Sequence, residues 1–190
     1  RFFSAKFDAL TPYTPGEQPR DQLYIKLNTN ESPFPPSPKA QARAAAELDK
    51  LQLYSDPTCA NLVAEAAKVL GVAEDEILFS NGSDEVLNFA FMAFCDENCP
   101  AIFPDITYGF YKVFAKLNGI PYQEIPLKED YSLYIADYFG KKATIFIANP
   151  NAPTGLYLSL GQIEDILKAN PDNVVVIDEA YIDFGGESAI

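Results

Sequence analysis

The stretch Asn173–Phe184, with the sequence NVVVIDEAYIDF, decides the fold of this chain. Four branched apolar residues at 174–177 are followed directly by the acids Asp178 and Glu179. Such a run is typical of a strand that is buried in a parallel sheet. Ligands of open α/β sheets bind just beyond the carboxyl ends of such strands, so Asp178 and Tyr181 are candidate ligand-facing residues. The alternative interpretation is a strand that ends in a solvated acidic turn.

Strands and helices alternate from residue 77 onward, which predicts an α/β fold with a mostly parallel sheet. Strands are predicted at 77–79, 101–103, 122–125, 143–148 and 174–177, and the short apolar alternation 23–27 is a further candidate strand. Helices are predicted at 39–51, at 62–70 with Thr58 as a cap and one apolar face, at 86–94, at 107–118 and at 160–167. Residues 1–32 are rich in turn residues and predict an extended N-terminal arm.

The composition limits the classes of function. The chain has 190 residues, of which 48% are apolar, and its net charge of −13 argues against nucleic acid or an anionic membrane surface as a partner. No run of eighteen apolar residues occurs. The absence of histidine excludes histidine triads and histidine-ligated metals within this sequence, and no metal site is predicted. Three cysteines without metal spacing favour a reduced, cytoplasmic protein.

Several polar loops are predicted to follow strands and to face one crevice. Residues 80–85 combine a glycine turn with the start of a helix, an arrangement that binds anions through free N–H groups and the helix dipole. The alternative there is an ordinary helix cap at Ser83 or Asp84. Thr107-Tyr108 and Asn151 stand at comparable positions after other strands.

Taken together, seven motifs resemble those of the histidinol-phosphate aminotransferases, which are class II, fold-type I enzymes dependent on pyridoxal 5'-phosphate (PLP). In chain order they are Pro12-Tyr13-x-Pro15-Gly16, Leu27-Asn28-x-Asn30-Glu31-x-Pro33, Tyr54-x-Asp56, Gly82-Ser83-Asp84-Glu85, Thr107-Tyr108-Gly109-x-Tyr111, Asn149-Pro150-Asn151-x-Pro153-Thr154-Gly155 and Asp178-Glu179-Ala180-Tyr181-Ile182-Asp183-Phe184. The resemblance implies an aspartate aminotransferase-like large domain, of which residues 33–190 would form the first part after the arm 1–32.

The resemblance also implies roles for single residues. Asp178 matches the carboxylate that keeps the pyridine nitrogen of PLP protonated, which makes the ring an electron sink. Tyr181 matches a hydrogen-bond donor to the ring hydroxyl, and Tyr108 matches the aromatic side chain that stacks on the pyridine ring. Ser83 and Asp84 match the loop that holds the cofactor phosphate.

Further residues match positions outside the cofactor ring. Tyr54 matches a tyrosine that reaches the cofactor of the neighbouring subunit, which implies a homodimer. Tyr13, Asn30 and Glu31 match the part of the arm that closes over the substrate.

Two departures from the family pattern matter. The family has Asn directly before Pro-Thr-Gly, whereas this chain has Ala152, so the role is vacant or belongs to Asn151. The Schiff-base lysine and a following Gly-x-Arg segment lie downstream of the motif at Asp178 in the family, and the sequence to Ile190 contains neither. We therefore expect the chain as given to be the front portion of the enzyme and inactive alone.

The resemblance predicts transamination of L-histidinol phosphate with 2-oxoglutarate, giving imidazole-acetol phosphate and glutamate in histidine biosynthesis. The partners would be this small-molecule amino donor and a 2-oxo acid. Two alternatives within the same fold are an aromatic aminotransferase and a threonine-phosphate decarboxylase. A third alternative is a non-catalytic α/β binding module.

Overall fold

The computed structural model describes residues 24–190 continuously, together with residues 2, 4, 7, 8, 17, 21 and 22. The helices in this part of the chain are α1 (Pro38–Ala46), α2 (Ala60–Leu70), α3 (Ser83–Phe94), α4 (Phe110–Leu117) and α5 (Leu160–Ala169). The strands are β1 (Ala101–Pro104), β2 (Tyr122–Ile125), β3 (Thr144–Ala148) and β4 (Val175–Asp178). Short 3₁₀ turns occupy Leu48–Lys50, Glu74–Glu76, Ile135–Tyr138 and Ile182–Phe184.

The four strands form one parallel sheet in the order β2-β1-β3-β4. The chain runs from β1 outward to β2 and then crosses back to β3 on the other side of β1. The strand order therefore reverses between β1 and β3, and the crevice at the carboxyl ends of these two strands is the expected ligand position. The register pairs Ala148 with Asp178, which sets the end of β4 level with the end of β3.

Helices cover both faces of the sheet, because successive strand residues point to opposite sides. On one face, α3 and α4 pack on Phe103, Phe146 and Ala148. On the other face, α5 packs on Ile102, Ile145 and Ile147. The predicted α/β fold with a parallel sheet is confirmed. None of the helices in the described part of the chain combines the length and apolar character that crossing a membrane requires.

Four local predictions were wrong or shifted. Residues 77–79 are irregular, because no strand pairs with them among the described residues. Residues 24–27 are irregular as well. The helix after β1 begins at Phe110 rather than at residue 107. The cap before α2 comes from Asp56, whose carboxylate accepts hydrogen bonds from the backbone N–H groups of Thr58 and Ala60.

The apolar face predicted for α2 exists but is not buried. Leu62, Val69 and Leu70 are exposed, and Ala67 is the one buried residue of this helix. The helix still ends at Gly71 as predicted, with the left-handed φ of +72° that glycine adopts without strain.

Candidate functional site

Asp178 is the last residue of β4 and is held by one hydrogen bond at each carboxylate oxygen. The hydroxyl of Tyr111 donates to Oδ2 at 2.7 Å, and the backbone N–H of Ala180 donates to Oδ1 at 3.1 Å. Tyr111 is completely buried. Burial, followed by the neighbouring charge of Asp178, raises the pKa of the Tyr111 hydroxyl far above its usual range. The hydroxyl is therefore a permanent donor to this carboxylate.

Tyr108 forms a second tyrosine–aspartate pair at the same end of the sheet. Its hydroxyl donates to Oδ1 of Asp84 at 2.5 Å. Its ring meets the Tyr111 ring edge-on, with the centroids 5.7 Å apart. Burial first, then the bond to Asp84 and the proximity of Tyr181 and Asp178, raise the pKa of Tyr108. Both tyrosines are thus neutral side chains beside acidic groups.

The N-terminus of α3 lies at this end of the sheet and suits an anion. Gly82 precedes the helix at a φ of +80°, and Ser83 is the first helical residue. Both acids of the first turn have hydrogen-bond partners: Asp84 accepts from the hydroxyl of Tyr108, and Glu85 accepts from the backbone N–H of Asn81 at 2.7 Å. The backbone N–H groups of a first helical turn have no partner within the helix, so they can bind an anion.

Two adjoining cavities open between these elements. The smaller cavity has a volume of about 40 Å³ and is lined by Ser83, Tyr108, Ala148, Pro150, Ala152, Asp178, Ala180 and Tyr181. The larger has a volume of about 430 Å³ and is lined by Asn30, Glu31, Pro150, Asn151, Ala152, Gly155, Tyr157, Tyr181, Phe184 and Gly185. They share three lining residues, so they lie side by side. Of the described residues that line them, none is a lysine or an arginine.

Asn151 ties together the two loops that follow β1 and β3. Its side-chain amide donates to the carbonyl of Ile106 at 2.9 Å and to the hydroxyl of Thr154 at 3.1 Å. Its Oδ1 accepts from the hydroxyl of Thr107 at 2.8 Å. Both amide hydrogens are therefore used inside the protein. The predicted contact of Asn151 with a cofactor stays a prediction.

The residues predicted to contact the substrate or the neighbouring subunit's cofactor lie in different parts of the structure. Asn30 and Glu31 line the larger cavity, and Glu31 forms an ion pair with Lys26 at 2.6 Å. Tyr54 is fully exposed at 106% and lines neither cavity. Tyr13 lies outside the described residues.

The pairing of Tyr111 with Asp178 was not foreseen from the sequence. Tyr111 lies three residues after Tyr108, which is a spacing that places two side chains on one face of a helix. That spacing was the available signal, but it does not identify the strand that the second tyrosine meets. Tyr157 and Phe184, which line the larger cavity, were also not singled out.

Residues 23–190 match the family model of the class I and II aminotransferases. The chain belongs to this aminotransferase family. It is 50% identical to the histidinol-phosphate aminotransferase of Clostridium acetobutylicum, over all of this chain and 54% of that protein. It is 52% identical to histidinol-phosphate aminotransferase 2 of Dechloromonas aromatica, over all of this chain and 55% of that protein. The resemblance expected from the motifs is confirmed, and this aminotransferase chain spans about half the length of the curated relatives it matches.

Solved structures agree with the aminotransferase fold. A candidate histidinol-phosphate aminotransferase from Erwinia carotovora atroseptica superposes with a TM-score of 0.76 at 29% identity, over 86% of this chain and 49% of that one. The histidinol-phosphate aminotransferase of Sinorhizobium meliloti, solved in complex with pyridoxal 5'-phosphate, gives a TM-score of 0.75 at 22% identity, over 82% of this chain and 44% of that one. The second likeness shows the fold alone.

Proposed function

We propose that this chain contributes the cofactor-binding portion of a PLP-dependent aminotransferase that converts L-histidinol phosphate and 2-oxoglutarate to imidazole-acetol phosphate and glutamate. One observation carries the proposal. The carboxylate of Asp178 is held by two hydrogen bonds in a cavity that Tyr108 and Tyr181 also line, beside the N-terminus of α3. Relatives named histidinol-phosphate aminotransferase at about half identity support the choice of substrate.

The residues present fit three parts of PLP. Asp178 offers a carboxylate for a protonated ring nitrogen, Tyr108 offers an aromatic ring for the pyridine, and Ser83 with the first turn of α3 offers donors for the phosphate. PLP, when bound, supplies an electron sink for the bond-breaking steps at the amino carbon. The site lacks a cation among its described lining residues, so the charge of the phosphate would be met here by N–H and O–H donors.

Each of the chain's own groups then has a definite task. Asp178 would accept the hydrogen bond of the ring N–H and would stabilise that proton by its negative charge. Tyr181 lines both cavities, and its hydroxyl is the available donor for the ring hydroxyl, because both amide hydrogens of Asn151 are already used. Asn30 and Glu31 face the larger cavity, where they would border the substrate and help exclude water.

The test is Asp178→Asn in the complete protein, including any sequence that continues beyond residue 190. The amide keeps the shape of the side chain but loses the charge, so we expect kcat to fall by about 10²- to 10³-fold. Asp172→Asn, at an exposed aspartate of a turn, is the matched control and should leave kcat unchanged. Near-normal turnover of Asp178→Asn would refute the assignment.

Substrate choice is tested separately. Histidinol phosphate, phenylalanine and threonine phosphate are offered to the same protein, each with 2-oxoglutarate. We expect the highest kcat/KM with histidinol phosphate. Preference for phenylalanine would indicate an aromatic aminotransferase, and carbon dioxide release from threonine phosphate would indicate a decarboxylase.

We further propose a homodimer in the cytoplasm, in which Tyr54 reaches the cofactor of the neighbouring subunit. Tyr54 is fully exposed, and apolar side chains nearby in the sequence, Leu51 and Leu53, are exposed too. Exposed apolar surface of this kind marks contact sites.

Mixed dimers test this sharing of sites. A subunit with Tyr54→Phe and a subunit with Asp178→Asn each lose activity alone. If Tyr54 acts across the interface, their mixed dimer contains one intact site, so activity returns to about half of the parent dimer. No recovery would show that Tyr54 acts within its own subunit, and full activity of the Tyr54→Phe homodimer would show that Tyr54 has no role.

A further inference from the structure

We infer that Tyr111 is a positioning residue that fixes the orientation and charge of Asp178 for its role toward the ring nitrogen of the cofactor. The inference rests on the proposed function, because it assigns Tyr111 a task through Asp178. Tyr111 lines neither cavity, so it acts on Asp178 and not on the ligand.

The ring of Tyr111 is surrounded by apolar side chains, and its hydroxyl hydrogen-bonds to Asp178. The ring packs among aromatic side chains of the core, at centroid distances of 6.3 Å from Phe91, 5.6 Å from Phe103 and 5.8 Å from Phe146. In an apolar cluster of this kind, an unpaired hydroxyl is costly. The hydroxyl donates a hydrogen bond to Oδ2 of Asp178 at 2.7 Å. A polar atom inside the core is thereby paired with a carboxylate at the edge of the core.

The two donors to Asp178 come from different elements and fix its plane. Tyr111 of α4 holds Oδ2, and the backbone N–H of Ala180, in the loop after β4, holds Oδ1. A carboxylate can accept about four hydrogen bonds, so acceptor capacity remains for a ligand N–H. Donors to a carboxylate favour its charged form. Loss of the Tyr111 hydroxyl would free the carboxylate to rotate and weaken its preference for the charged form.

Tyr111→Phe is the informative variant, because it keeps the ring in the core and removes the hydroxyl alone. Tyr138→Phe is the matched control. Tyr138 is equally buried, but it lies on the opposite face of the sheet, and its hydroxyl has no hydrogen-bond partner among the described residues. Any general effect of removing a buried tyrosine hydroxyl appears in both variants, whereas an effect through Asp178 appears in Tyr111→Phe alone.

The experiment measures the apparent Kd for PLP of the complete protein after removal of the cofactor. We expect Tyr111→Phe to raise this Kd by about tenfold, the loss of one hydrogen bond to a charged group. Tyr138→Phe should stay within about twofold of the parent. 4-Aminophenylalanine at position 111, whose amino group occupies the place of the hydroxyl and can donate, should recover part of the loss. Circular dichroism confirms folding of each variant, and if Tyr111→Phe does not fold, the 4-aminophenylalanine variant is compared with the parent for PLP and for the analogue described below.

Two further measurements decide whether the effect passes through Asp178. With an analogue of PLP in which carbon replaces the ring nitrogen, Tyr111→Phe should bind within about twofold of the parent. In the Asp178→Asn background, Tyr111→Phe should add no more than about a twofold change. Equal losses with PLP and with the analogue, or full additivity with Asp178→Asn, would overturn the inference while leaving the proposed function intact. If Asp178→Asn itself has no effect on the Kd or on turnover, the proposed function fails first.

Discussion

Residues 101–178, the sheet region, and residues 38–70, the front region, contain similar proportions of apolar residues but bury them very differently. In the sheet region, every residue of β1 and β3 is buried. In the front region, α1 has no buried residue and α2 has one, while Val69 is 83% exposed. The sheet region buries its apolar side chains in its own core, whereas most of the large apolar side chains of the front region are exposed.

This difference separates two kinds of candidate site residue. Asp178 and Tyr108 are positioned by the sheet and by the helices packed on it, so their geometry follows from the core. Tyr54 lies in the front region, and its position depends on what that region packs against. This difference predicts that substitutions in the sheet region lower the stability of the whole fold, whereas substitutions in the front region change only the local stability.

Phe146→Ala should have the largest effect on stability. Phe146 is fully buried in β3 and stacks on Phe91 at a centroid distance of 4.1 Å. Its truncation leaves a cavity, which costs about 3–5 kcal/mol of unfolding free energy. Val69→Ala in α2 should change that free energy by less than about 0.5 kcal/mol. Urea denaturation of both variants checks the contrast, and equal losses would contradict it.

Alkaline pH should weaken the sheet region next most strongly. Burial raises the pKa values of Tyr111 and Tyr138 above the usual tyrosine range, so both stay protonated in the folded state while the unfolded chain ionises near pH 10. Their contribution to stability is fully present below that pH and is lost as the pH rises above it.

By pH 11 the loss from these two tyrosines is about 3 kcal/mol. Urea midpoints between pH 8 and 11 measure it. Tyr138→Phe removes the share of one tyrosine and should reduce the loss at pH 11 by about 1.4 kcal/mol. A midpoint that stays constant to pH 11 would show that these tyrosines do not govern the alkaline limit.

Asn151→Ala should cost about 2 kcal/mol, because it removes the side chain that links the loops after β1 and β3. The carbonyl of Ile106 and the hydroxyl of Thr107 would each lose a partner. Asn98→Ala, at an exposed asparagine, is the control and should be nearly neutral. Thermal unfolding distinguishes the two, and a neutral Asn151→Ala would show that water replaces the link.

The smallest effect is expected at two matched helix caps. Ser37 caps α1 and Ser159 caps α5, each by accepting a backbone N–H through its hydroxyl. Ser159→Ala should lower the global unfolding free energy by about 1 kcal/mol, because α5 carries the buried residues Ile163 and Ile166.

Ser37→Ala should instead leave the global value unchanged and speed amide exchange in α1 by about fivefold. Hydrogen exchange resolved by segment measures both variants. A loss of global unfolding free energy in Ser37→Ala would show that the front region unfolds together with the sheet, which would contradict the proposed difference between the two regions.

The sequence predicted the secondary structure correctly where a local pattern follows directly from a physical requirement. The branched run before Asp178 predicted a strand with an acid at its end, and β4 has both, although its four residues are half-buried and not buried as predicted. Apolar runs also predicted β1 and β3, and the segment 122–125 predicted β2, all within a residue at each end. Such runs can be interpreted without knowledge of the fold, because a buried parallel strand needs apolar residues on both faces.

Local patterns failed where the outcome depends on a distant partner. Residues 77–79 have the composition of a strand, but a strand forms only beside another, and pairing is set by the whole sheet. The bond from Tyr111 to Asp178 requires that β3 lie between β1 and β4, which periodicity does not specify. The exposure of the apolar face of α2 likewise depends on neighbours and not on the face itself.

The hydroxyl–carboxylate bond between Tyr111 and Asp178 joins residues that are 67 positions apart in the chain. Contacts of such long range form late in folding, because the loop between them must first be ordered. During synthesis, α4 is complete long before the ribosome reaches β4. We therefore expect β1 to β3 to assemble first, and β4 with the carboxylate of Asp178 to be the last part of this site to reach its place.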